Sequence, residues 1–134
     1  MNFFKKSLLV LTLISNVFAS DSCHNYLVLS ELDGRVDITE KVLKVFEDKG
    51  YTFTEVKSIE DLPSNGAVNY MTIFSDLHKY RGAYTSISMH ESFLRDGEAE
   101  YSQKESIRVT KKPLFGSWVK SLIRSVKKKV PDCE

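Results

Sequence analysis

The chain is poor in the residues that build recognisable chemical sites. Its 134 residues include two cysteines, three histidines, three prolines and one tryptophan. There is no HExxH, no CxxC and no clustered histidine set, so nothing marks a metal site. No serine stands in a nucleophile elbow, neither cysteine precedes an activating partner, and no triad can be assembled. No catalytic residue, cofactor or metal ligand is therefore assigned. Internal repeats and low-complexity tracts are also missing, which excludes solenoids and fibrous chains.

The N-terminus follows a known pattern. Lys5 and Lys6 form a short basic start, and Ser7–Phe18 is apolar. Val17-Phe18-Ala19 then supplies the small residues read at −3 and −1 by signal peptidase. Residues 1–19 read as a secretory signal peptide cut after Ala19. The apolar run is too short to span a hydrocarbon core of ~30 Å comfortably; an uncleaved anchor is the competing reading. Residues 20–134 remain, enough for one small α+β domain with one real core. The expected location is the periplasm or the exterior.

The two cysteines, Cys23 and Cys133, stand near the two ends of the mature chain. In an oxidising compartment an even count suggests a disulfide. The rival is lipidation of Cys23. The preceding residues, Ala19-Ser20-Asp21-Ser22, lack the Leu-x-small pattern that a lipid-accepting cysteine requires.

Charge is balanced overall but not along the chain. Residues 104–134 carry nine basic and three acidic residues, a net of +6, and residues 20–103 carry eight basic and fifteen acidic, a net of −7. This asymmetry is the strongest functional hint in the mature sequence.

Periodicity gives the elements. His24–Leu32 reads as a strand, with Asp33-Gly34 as a turn. Asp37 and Glu40 resemble a capping box, and apolar residues at 38, 42, 43, 45 and 46 share one helical face. Gly50 suits the position after the helix. Tyr51–Lys57 alternates as a strand, and a strand–helix–strand run of this length implies parallel pairing. Ser58–Asp61 offers one helical turn, stopped by Pro63. Ala67–Ser75 and Ala83–Phe93 form a hairpin, Asp96-Gly97 a second turn, and Glu98–Ser106 a polar edge strand. Lys111-Lys112-Pro113 links to a last helix that Ser117 caps and Pro131 ends. Its residues Trp118, Val119, Leu122, Ile123, Val126 and Val130 share a face. The expected fold is α+β: a mixed sheet of four to five strands with two amphipathic helices on one face, in the order β-α-β-β-β-β-α.

Two surfaces are candidates for binding. The first is the basic side of the last helix: Lys120, Arg124, Lys127 and Lys128, with Lys129, Lys111 and Lys112 nearby. It suits an anionic membrane surface, a polyanionic glycan or an acidic protein. The competing account is a solvated face whose cations complement the helix dipole or the acidic half of the chain. Nucleic acid is disfavoured, because no aromatic stacking motif accompanies the lysines. The second is the open face of the sheet. Along the hairpin, Ile87 and Met89 should lie under the helices and Tyr84 and His90 outside. In the neighbouring strand either Val68, Tyr70, Thr72 and Phe74 or Asn69, Met71 and Ile73 could face the core. With the first set outward, Tyr70, Phe74, Tyr84 and His90 make an aromatic platform for a protein, peptide or glycan. A catalytic or metal site would need Asp76, His78, His90 and Glu91 to converge.

The sequence thus leads to the expectation of an exported binding or structural protein of the periplasm or envelope that docks through its basic last helix. A protein adaptor, inhibitor or complex subunit using the sheet face is the second expectation. A small hydrolase or metal-binding protein is the third.

Overall fold

The computed structural model describes residues 23–63 and 66–133. The proposed signal peptide lies outside the described residues. The elements are β1 (His24–Val28), β2 (Asp33–Gly34), α1 (Val36–Asp48), β3 (Thr52–Val56), β4 (Val68–His78), β5 (Gly82–Arg95), β6 (Glu98–Lys111) and α2 (Trp118–Lys129). Single 3-10 turns occupy Leu29–Glu31 and Ile59–Asp61. The sheet runs β3-β1-β4-β5-β6, with the short β2 beside β4. β1 pairs in parallel with β3 and β4, and the two long hairpin contacts are antiparallel. This is the α+β fold with a mixed sheet that the periodicity predicts.

Both helices lie on one face. Ile38, Val42, Val45 and Phe46 of α1 and Leu122, Val126 and Val130 at α2 form one core with Leu27, Met71, Ile73, Ile87, Ile107 and Val109 of the strands. Beneath the helices, Ser75 and Thr85 are buried but satisfy each other through a hydroxyl hydrogen bond of 2.9 Å. The opposite face is half covered. The segment around Ile59 and Leu62 folds over it and builds a second cluster of Val28, Leu62 and Tyr70.

Several local expectations need correction. The first strand stops at Val28 rather than Leu32, because a 3-10 turn follows. Asp33-Gly34 is not a plain turn: it pairs with Phe74-Ser75 of β4. Helix α1 begins two residues earlier than its pattern implies and has Arg35, not Asp37, at its N-cap. The Asp37 carboxylate accepts instead from the Arg35 guanidinium at 2.9 and 2.7 Å, so no capping box with Glu40 forms. A capping box does occur at Ser58 and Asp61, ahead of the second 3-10 turn. The last strand is longer than expected, reaching Lys111, and contains a bulge where Met89 faces Glu105 but His90 faces Gln103.

The C-terminal end of α1 is a complete Schellman motif. The Tyr51 amide donates to the Phe46 carbonyl and the Gly50 amide to the Glu47 carbonyl, each at 3.1 Å. Gly50 holds φ +99°, and the Tyr51 and Phe46 rings meet edge to face at 5.1 Å. Ser117 caps α2 as expected, accepting from the Lys120 amide at 3.2 Å.

Candidate functional site

Helix α2 has one face in the core and the other in solvent. Lys120, Arg124, Lys127, Lys128 and Lys129 are all exposed. None of the five forms an ion pair with a described residue. A groove of about 880 Å³ separates α2 from α1, floored by Val45, Val119 and Ile123. Lys120, Arg124 and Lys127 form its α2 wall, and Asp37, Glu40, Lys44 and Asp48 line the α1 side. Lys128 is not part of this groove lining. Two of the four acids of α1, Asp37 and Asp48, are engaged within or beside their own helix, and Glu40 and Glu47 form no ion pair with a described residue. Asp37 pairs with Arg35 at 2.7 Å and Asp48 with Lys44 at 3.0 Å. The Arg35 guanidinium accordingly holds the Asp37 carboxyl below its ordinary range, chiefly through the hydrogen bond. Among the described residues no ion pair joins α2 to the acidic half of the chain.

The sheet face is organised differently from a single platform. Tyr70, Thr72 and Phe74 do face away from α1 and α2, on the side of Tyr84 and His90. They fall into two groups. Tyr70 is buried and stacks on His90 with ring centroids 4.8 Å apart, while Tyr101 meets Tyr70 edge on at 6.2 Å. The Thr72 hydroxyl lies 3.5 Å from His90 Nε2. Burial raises the Tyr70 phenol pKa and lowers that of the His90 imidazole, with Glu31 partly opposing the latter. Phe74 stands apart with Tyr84, centroids 5.9 Å apart, and is exposed. Tyr101 escaped the sequence reading because the bulge reverses the facing of its half of β6.

His78 and His90 do not meet. His78 faces Gly82 and His90 faces Tyr70, eight register steps apart along β4, or roughly 26 Å of strand. The His78 imidazole instead accepts from the Tyr80 and Arg81 amides at 3.1 and 3.2 Å, bracing the β4–β5 turn. Among the described residues no group of three metal-ligating side chains comes together.

A further feature went unread in the sequence. Leu114 and Phe115 lie in the β6–α2 connection and are 93% and 89% exposed. An apolar pair between Pro113 and Gly116, flanked by lysines, was the signal available.

The chain matches no protein-family model, no curated protein and no solved structure.

The Cys23–Cys133 disulfide is present, with the two Cα atoms 5.7 Å apart. It is compatible with an oxidising, extracellular compartment.

Proposed function

We propose that this is an exported, non-enzymatic binding protein of the periplasm or cell envelope that docks to an anionic membrane surface through the outer face of α2. The observation that carries the reading is the row Lys120, Arg124, Lys127 and Lys128, solvated and without ion-pair partners among the described residues. Each cation near an anionic bilayer is worth about 1 kcal/mol. Four supply about 4 kcal/mol, a millimolar attachment that salt screens. The disulfide and the N-terminal pattern support export.

The test is cosedimentation of residues 20–134 with neutral and anionic vesicles across a salt series. Binding confined to anionic vesicles, declining with salt and abolished when all four residues become Gln, is the expected result. Association unchanged in that variant overturns the assignment. A second reading rests on the exposed Phe74 beside Tyr84, a contact surface for a protein partner. It requires binding that tolerates salt, is weakened by Tyr84→Ala and ignores the α2 changes.

A further inference from the structure

The most exposed large apolar side chains gather at one end of the molecule. Leu114 (93%), Phe115 (89%), Val36 (68%) and Tyr80 (68%) exceed every other described residue of that type. Tyr80 lies in the β4–β5 turn and Leu114 and Phe115 follow β6, while β5 begins beside the end of β6, where Ala83 pairs with Lys111. Val36 follows β2, which pairs with Phe74 and Ser75 late in β4. All four therefore sit at the end of the sheet away from the disulfide.

These loops are held in place. The Lys112 ammonium donates to the Tyr80 carbonyl at 2.5 Å, tying the two connections together. The Trp118 indole donates to the Pro113 carbonyl at 3.2 Å, fixing the loop to the start of α2. The apolar tip thus meets a target without a large cost of ordering.

Around Tyr80 and around Leu114 and Phe115 the charge has one sign in sequence, whereas Val36 stands among Asp33, Arg35 and Asp37. From Leu77 to Gly82 and from Arg108 to Ile123 there is no acidic residue, whereas Lys79, Arg81, Arg108, Lys111, Lys112 and Lys120 all fall there. Of the acids nearby in the fold, Asp37 is paired with Arg35, Asp33 accepts from the Gly34 amide at 2.8 Å and Asp76 accepts from the Leu77 amide at 2.9 Å.

We propose that this end is a membrane-insertion tip: Leu114 and Phe115 enter the headgroup–acyl boundary of an anionic bilayer while the surrounding lysines and arginines hold its headgroups. The chemistry of the tip favours a bilayer over a protein. The apolar residues project into solvent from a connecting loop, and cations beside apolar side chains suit an anionic lipid surface. The proposal rests on the reading of an anionic membrane as target, but replaces lateral contact along α2 with end-on contact.

The experiment uses vesicles of phosphatidylcholine alone or mixed with phosphatidylglycerol, with and without brominated acyl chains. Phe115→Trp should show quenching by brominated lipid beyond that of Trp118 in the wild-type chain. Leu114→Ser/Phe115→Ser should bind anionic vesicles roughly tenfold to a hundredfold more weakly, with an unchanged melting temperature because both side chains are already solvated. Wild-type binding without added quenching, together with undiminished binding of the double-serine variant, overturns the tip and leaves contact through α2 standing. Insertion that persists in the variant with four Gln on α2 supports the tip and removes the helix. Failure of the wild-type chain to bind either vesicle overturns both.

Discussion

The Cys133 amide donates to the Lys49 carbonyl at 2.8 Å, joining the chain's C-terminal segment to the end of α1. Three further contacts reinforce this junction. The Lys49 ammonium donates to the Lys127 and Val130 carbonyls, which α2 leaves unsatisfied at its C-terminal end. The Tyr51 hydroxyl donates to the Pro131 carbonyl at 3.2 Å. The disulfide to Cys23 closes the same corner. One residue, Lys49, thus links the end of one helix to the end of the other.

Opening the disulfide should weaken the fold without abolishing it. The cysteines are 110 residues apart, and a loop of that size corresponds to about 4–5 kcal/mol in the chain-entropy account. The contacts of Lys49 and Tyr51 keep the two ends near one another in the native state after the bond is lost. Cys133→Ser should therefore cost about 2–4 kcal/mol in urea melts under oxidising conditions. Under reductant the variant and the parent should unfold together. Equal midpoints under oxidising conditions would show that the bond contributes nothing.

Two glycines with positive φ should respond differently to alanine. Gly34 has φ +81° and Gly50 φ +99°. A Cβ at Gly34 would overlap the Ser75 carbonyl, which accepts the Arg35 amide at 2.6 Å. A Cβ at Gly50 meets the Cys133 carbonyl at an ordinary 3.4 Å. Gly50→Ala bears the conformational cost alone, about 1–2 kcal/mol. Gly34→Ala adds displacement of β2 from β4 and should cost about 3 kcal/mol or more. Equal losses in denaturant unfolding would place the strain elsewhere.

The sequence is most legible where one face of an element alone is buried. The apolar stripes of α1 and α2 predict Phe46 and Leu122 in the core, and the alternation along β5 places Ile87 correctly. Strand β4 is ambiguous for a physical reason: each of its faces buries apolar residues. Met71 and Ile73 pack under the helices, while Tyr70 packs beneath Leu62 on the other side. With apolar residues buried on each face, period-two alternation carries no sign. Pairing resolves it, because Met71 faces Met89 and Ile73 faces Ile87. The contact of Gly34 with Ser75 is long-range and leaves no local pattern beyond a glycine. The candidate α2 face was legible as a helical row, whereas the grouping of Val36 and Tyr80 with Phe115 depends on which strand ends the sheet brings together.

Acid should weaken the protein partly through His90. Burial against Tyr70 lowers its pKa from the ordinary 6.5. The unfolded chain then binds the proton more readily than the folded one, so stability rises with pH across the interval between the two values. The contribution is fully present above about pH 6.5 and is lost as pH falls from there through the folded value. Because His90 is part exposed, solvent screens the effect and its size is modest. An NMR titration of the His90 ring should give a midpoint below that of a histidine in an unstructured peptide. His90→Gln should flatten the corresponding part of the stability–pH curve while leaving the carboxylate-driven loss at lower pH. A His90 midpoint above the peptide value would mean that Glu31, which raises the pKa, outweighs burial, and the slope would then reverse.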